Sequence, residues 1–350
     1  MKSFDYFNPV KIHYEIPCRQ VLEHITQLYS KILLVTTDGV LKRSPFIQEA
    51  LKESQIEIIS NIRSNPELDF LQKIKKKIKE PQCILAIGGG SVIDSAKFLS
   101  VMGDISPQEG MLHVSSNSNF IPIFAIPTTA GTSSELTKWA TIWDSTNFIK
   151  YSLSHEKLYP QEAFYDSRLM LSLPREETIN GALDTLSHCL ESIWNKNSNP
   201  ISTHYAISGI ELILKTLPSL LENLQSLELR KKITLSNIYS GLAFSNTQTA
   251  LAHALSYFMT MKFDIPHGIA CSITLPILLD NMQDGQEKEI LLPYKQKISE
   301  LFEKIGISYN LSDYGFTQKF MKEVFASLNA RAKNGLFEIE VIQSTILETL

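Results

Sequence analysis

The sequence predicts an α/β first half with a parallel sheet, followed by an all-α second half, with domains over residues 1–173 and 174–350. Three observations carry this. Short apolar, β-branched runs alternate with helix-periodic segments as far as residue 126. From Pro174 onward the apolar residues recur mostly at three and four. Within the first regime, a fully apolar run ends in the glycine turn Gly88-Gly-Gly-Ser91.

The elements follow in order. Residues 31–37 form an apolar strand, and residues 44–54 an amphipathic helix opened by Ser44-Pro45. Residues 56–60 alternate like a strand. Residues 66–79 place Leu68, Leu71, Ile74 and Ile78 on one helical face. The lysines at 73, 75, 76, 77 and 79 read as its solvated side. Residues 83–87 and 121–126 are strands, with a helix over 91–101 between them. Strands separated by helices imply a parallel sheet with right-handed crossovers. In the second half, Pro174 with Glu176 and Glu177 reads as a first helical turn, where acidic side chains offset the helix dipole. Ile207, Ile210, Leu214 and Leu217, then Ile233, Leu235, Ile238 and Leu242, mark further helices.

Bulk properties narrow the function. A chain of 350 residues, 43% hydrophobic, can bury the cores of about two domains. A net charge of -4 gives no reason to expect nucleic acid. No run approaches the ~20 apolar residues that span a bilayer, and the N-terminus does not read as a secretory signal, so no membrane partner and a cytoplasmic location are expected. Cys18, Cys83, Cys189 and Cys271 show no CxxC pairing and read as buried or free thiols in a reducing compartment. Cys189 points about 100° from its neighbour His188 on a helix, which favours packing.

Asp184 and His188 lie four apart, which stacks them on one helical face. His253 lies in an alanine-rich helix, and His267 in the turn Ile265-Pro-His-Gly268. A carboxylate inside an apolar helix is costly unless a cation offsets its charge. Three imidazoles and one carboxylate suit Fe2+ or Zn2+, with Mn, Co and Ni also compatible. His13, His24, His113, His155 and His204 lack such company. Upstream, the Gly88–Ser91 turn between strand and helix lets a backbone approach a pyrophosphate at a helix N-terminus. It is not the G-x-G-x-x-G fingerprint. Residues 127–135, Pro-Thr-Thr-Ala-Gly-Thr-Ser-Ser-Glu, offer five hydroxyls beside a glycine, more than one helix cap requires.

These motifs, in this order from Leu33 to Pro276, resemble the iron-containing (group III) alcohol dehydrogenase family. The resemblance implies a dehydroquinate-synthase-like architecture, an N-terminal dinucleotide-binding domain and a C-terminal metal-binding catalytic domain. It implies a metal held by Asp184, His188, His253 and His267, with Fe2+ first and Zn2+ second. It implies NAD or NADP contacts at Gly89, Gly90, Ser91, Thr128, Thr129 and Thr132, with Asn65 and Lys150, and places Asp94 near the nicotinamide. It also implies a small aldehyde or alcohol substrate and a homodimer or higher homo-oligomer.

Two positions depart from the family pattern. Members preferring NAD often carry Asp just after the first strand; here Thr37 stands there, with Asp38 next, which leaves NADP open. Many members have a further His four residues after the third ligand; here it is Tyr257, a candidate for the proton path with water and the cofactor ribose. The segments Lys138-Trp-Ala-Thr-Ile-Trp-Asp144 and Lys150-Tyr-Ser-Leu153 resemble the branch that reduces phosphonoacetaldehyde to 2-hydroxyethylphosphonate. A phosphonate dianion would need cations, with Lys138, Lys150 and Lys196 as candidates. The alternatives are a dehydroquinate-synthase-like lyase using NAD and a metal, and a non-catalytic nucleotide-binding protein.

Overall fold

Strands that are apolar at every position need cover on both faces, and this chain supplies it. The computed structural model describes residues 3–52, 55–147 and 149–350. Among them, a six-stranded parallel sheet runs in the order Lys11–Tyr14, Glu162–Tyr165, Ile123–Pro127, Cys83–Gly88, Lys31–Val35, Gln55–Ile59. Successive side chains point to opposite faces. Leu33, Val35, Ile84 and Ala86 therefore pack on one side with Val92, Ala96 and Leu99 of the helix Gly90–Ser100. Ile32, Leu34, Leu85 and Ile87 pack on the other with Val21, Leu22 and Ile25 of the helix Cys18–Leu28. This two-sided burial is why the strands read as continuous apolar runs rather than alternating ones.

Two local expectations change. Of the helix expected over 44–54, Phe46–Ala50 is helical and residues 53 and 54 lie outside the described residues, and a separate helix, Asp38–Arg43, precedes it. The cause is capping: the Thr37 hydroxyl accepts the Val40 N–H at 3.1 Å and starts the earlier helix. A second, four-stranded sheet also escaped the sequence reading. Its order is Trp139–Asp144, Ile149–Ser154, Met111–Val114, Ile105–Gln108. These strands are four to six residues long and half-exposed, so their apolar pattern is weak.

The chain divides into two compact units. The α/β unit comprises residues 8–129 and 133–172. The helical unit comprises residues 173–350, residues 130–132 and the chain up to Phe7. The N-terminal arm joins the helices through hydrogen bonds: the Tyr6 hydroxyl donates to the Leu242 carbonyl at 3.0 Å, and the Phe7 N–H donates to Asn246 Oδ1 at 2.8 Å.

In the helical unit the long elements are Arg175–Ile193, Pro200–Glu222, Leu227–Thr247, Leu251–Phe263 and Gln286–Ile305. Asn199 and Ser202 form a capping box ahead of Pro200, which suits the first helical position. Past Leu173, no strand longer than an isolated bridge occurs among the described residues. No helix among them is long and apolar enough to cross a membrane.

Candidate metal centre

The helix Arg175–Ile193 carries Asp184 and His188 on one buried face. Two glycine contacts bring other segments against it. A Cβ on Gly181 would lie 2.2 Å from the Ala130 carbonyl oxygen, and one on Gly268 would lie 1.9 Å from that of Asn180. Only a bare backbone fits at either place. The Gly268 contact seats the short helix His267–Ser272 on the longer one. Three hydrogen bonds hold it there: Gly268 N–H to Asn180 Oδ1 at 2.8 Å, Ser187 Oγ to the Cys271 carbonyl at 3.1 Å, and Ser272 Oγ to the Leu183 carbonyl at 3.0 Å. His267, read from sequence as a turn residue, thus opens a helix behind Pro266.

The donor atoms converge. Asp184 Oδ1 lies 3.3 Å from His253 Nε2, 3.6 Å from His188 Nδ1 and 3.9 Å from His267 Nε2. Asp184, His253, His267 and Cys271 each offer a ligand atom within 4.8 Å of the other three. His188 stands outside that tightest set. Its ring stacks on Phe244 and on His253, with centroids 4.0 and 4.3 Å apart. It hydrogen-bonds to the backbone of Gly131, yet its buried Nδ1 has no hydrogen-bond partner. A buried, unpartnered imidazole nitrogen aimed at a carboxylate is expensive. A divalent cation at this point would satisfy it, so the residues present fit a metal.

With no cation bound, the buried groups set one another's charge. Burial alone would raise the Asp184 carboxyl, but His188, His253 and His267 hold it well below the usual carboxylate range. Burial pushes His188 down to about 3 despite Asp184, so this ring is neutral and able to ligate. Burial opposes protonation of His253, but Cys271, Glu191 and Asp184 outweigh it and raise the ring well above its ordinary value. Burial also opposes the Cys271 thiolate, yet His253 and His267 bring that thiol down to about 7.

Two residues here were not singled out from sequence. Fully buried Glu191 accepts the N–H groups of Ala250 at 2.8 Å and Ala252 at 2.7 Å, and its Oε2 lies 2.7 Å from His253 Nδ1. It therefore turns His253 Nε2 toward Asp184. A carboxylate behind a ligating imidazole orients the ring and raises its basicity. Glu191 lies seven residues after Asp184, two turns along the same helix, and that spacing is its only sequence signal. Cys271, read as an ordinary thiol, follows His267 by four, the same spacing that singled out Asp184 and His188. Tyr257 lies parallel to the His267 ring, centroids 5.9 Å apart and planes 3° from each other. Cys189 packs near Gly209, where an added Cβ would come within 2.6 Å of its Sγ.

In the α/β unit, the adjacent parallel strands Cys83–Gly88 and Ile123–Pro127 pair Gly88 with Pro127. The glycine turn and the start of the hydroxyl-rich loop thus leave the sheet side by side at the strands' carboxyl ends. The Thr128 N–H donates to the Gly88 carbonyl at 3.0 Å, and a Cβ on Gly89 would lie 3.0 Å from Thr129 Oγ1. Gly89 precedes the helix Gly90–Ser100, with Ser91 in its first turn. Gly89, Gly90, Ser91, Thr128 and Thr129 are therefore brought together; Thr132 is counted with the helical unit. Asp94 accepts from Ser134 Oγ at 2.5 Å and from the Thr141 N–H at 2.8 Å, so its carboxylate braces the loop. Lys97, fully buried, donates to Ser134 O and Oγ, Thr137 Oγ1 and the Trp139 carbonyl. Asp38 is exposed in the first turn of Asp38–Arg43. Asn65 is exposed with a left-handed backbone, φ 56°. Lys150 pairs across strands with Trp143, its Nζ 6.0 Å from that ring's centroid.

Comparison with known proteins shows the family. Residues 9–167 match the family described as iron-containing alcohol dehydrogenase, and residues 178–290 match the C-terminal region of the Fe-containing alcohol dehydrogenase family. Alcohol dehydrogenase 4 of Saccharomyces cerevisiae is 30% identical over 298 residues, 82% of this chain and 78% of that protein. The NADPH-dependent butanol dehydrogenase of Clostridium saccharobutylicum is 27% identical, covering 89% of this chain and 87% of its own. The crystal structure of sulfoacetaldehyde reductase from Bifidobacterium kashiwanohense with NAD+ superposes with a TM-score of 0.90 at 23% identity, covering 100% of this chain and 99% of that one.

Proposed function

The chain belongs to the iron-containing alcohol dehydrogenase family, and we propose that it interconverts a small aldehyde and its primary alcohol with NAD(P)(H) and one divalent metal. The observation that carries this is the convergence of Asp184, His253 and His267, with His188 Nδ1 buried beside them. Asp184, His188, His253 and His267 would hold the cation. When bound, the metal supplies Lewis acidity toward a carbonyl oxygen and the nicotinamide supplies or accepts hydride.

The chain's own residues do the rest. Glu191 fixes the His253 tautomer through Nδ1. Neutral His188 keeps a lone pair on Nδ1 across the physiological range. Tyr257, parallel to His267, is the proposed proton carrier through its phenolic oxygen. Gly89, Gly90, Ser91, Thr128, Thr129 and Thr132 are the proposed cofactor contacts, with Asp38, Asn65, Asp94 and Lys150 as further members. We assign cofactor binding to residues 1–173 and metal chemistry to residues 174–350. Relatives are named for NAD and for NADPH, so the cofactor is written NAD(P).

For the substrate we propose phosphonoacetaldehyde, reduced to 2-hydroxyethylphosphonate. Support comes from the two segments that resemble that branch. They form one antiparallel pair, Trp139–Asp144 with Ile149–Ser154. Of Lys138, Lys150 and Lys196, we propose Lys150, which lies on Ile149–Ser154 in that pair and also interacts with Asp94, as the partner for the phosphonate. A lyase is disfavoured because both family matches and the relatives named above are alcohol dehydrogenases.

The test is a panel of aldehydes, phosphonoacetaldehyde included, offered to metal-reconstituted protein with NADH and NADPH. Phosphonoacetaldehyde should be reduced with the highest kcat/KM, read as loss of reduced-nicotinamide absorbance. Equal turnover of unsubstituted acetaldehyde would remove the phosphonate assignment. Product formation without net nicotinamide oxidation would indicate the lyase.

A further inference from the structure

We infer that Cys271 is a sulfur donor to the cation, so that the site takes a thiophilic divalent metal such as zinc or cobalt in a mixed carboxylate, imidazole and thiolate sphere. This rests on the metal reading above and extends it to a residue outside the ligand set that the family resemblance implies. Cys271 Sγ lies 3.5 Å from His267 Nε2, and it shares with Asp184, His253 and His267 a set of ligand atoms all within 4.8 Å of one another. His188 is not part of that set. Two features point the sulfur inward. His267 and Cys271 sit four apart on one short helix, so they share a face. The Ser187 hydroxyl donates to the Cys271 carbonyl at 3.1 Å and ties this short helix to the helix that carries Asp184. The buried, unpartnered His188 Nδ1, 3.6 Å from Asp184 Oδ1, is a separate nitrogen lone pair beside that set which a cation would satisfy. A thiolate beside imidazoles shifts preference toward Zn2+ and Co2+ relative to an all-nitrogen and oxygen shell.

The experiment is a Co2+ titration of metal-stripped full-length protein, followed by absorbance, for wild type and Cys271→Ser. Wild type should show visible ligand-field bands together with a near-ultraviolet sulfur-to-cobalt charge-transfer band. Cys271→Ser should keep the visible bands and lose the ultraviolet one. X-ray absorption on zinc-loaded wild type gives a reading that does not depend on the variant folding. It should require one scatterer near ~2.3 Å, the Zn–S distance, beside those near ~2.0–2.1 Å for nitrogen and oxygen. Visible bands without the charge-transfer band, an ultraviolet band that survives Cys271→Ser, or a zinc shell without sulfur would each overturn the assignment while leaving the metal centre in place. Absence of any ligand-field band in wild type would remove both.

Discussion

At the residue scale, the centre depends on groups that orient ligands as much as on the ligands. Replacing His267 with Ala removes a donor on a short helix whose seat is made by Gly268, Ser187 and Ser272. That variant should keep its circular dichroism and lose metal affinity and turnover by more than about a hundredfold. Full turnover would refute the assignment. Glu191→Gln should lower metal affinity about 10–100-fold, because the neutral amide no longer backs the His253 ring. Competition with a chromophoric chelator measures it, and unchanged affinity would show that Glu191 only caps the Ala250–Ala252 backbone.

At the element scale, close backbone approach and buried polar anchoring decide how the segments meet. Gly268→Ala would place a methyl 1.9 Å from the Asn180 carbonyl. The His267–Ser272 helix must then lift, at a cost of about 1–3 kcal/mol read from urea denaturation; an unchanged midpoint would contradict the packing described. In the α/β unit, Lys97 ties the helix Gly90–Ser100 to the loop from Ser134 to Trp139. Burial lowers it from 10.5 to about 8, against the pull of Asp94 and Glu135. Between those values the unfolded chain holds the extra proton, so this residue makes folding stability rise with pH across about 8 to 10.5, by at most about 3 kcal/mol. Lys75, lowered by burial over the same window, contributes in the same sense, so in Lys97→Met the rise should be smaller rather than absent. Urea midpoints of both proteins through that window test it, and parallel profiles would show that Lys97 titrates as it does in the unfolded chain.

At the scale of the whole molecule, a cation bound by folded protein alone stabilises it by mass action. At a free metal concentration 100-fold above Kd the gain is about 2.7 kcal/mol, which thermal melts with and without chelator should register. A melt indifferent to chelator would argue that no resident ion is present.

Taken alone, the sequence determined the division of fold types and most of the parallel sheet. Doubly covered strands leave continuous apolar runs, and long helices leave a three-and-four spacing, and both signals are local. It also marked Asp184, His188, His253 and His267, because a buried charge in an apolar helix needs a reason. The tertiary structure decided the rest. The four-stranded sheet was illegible because strands such as Ile105–Gln108 and Met111–Val114 are short and half-exposed. Glu191 and Cys271 were illegible as functional because their meaning lies in distances to residues about 60 to 90 positions away. Only the chain folded back on itself, at glycines that let backbones touch, sets a thiol, a carboxylate and two imidazoles around one point, with the His188 ring beside them.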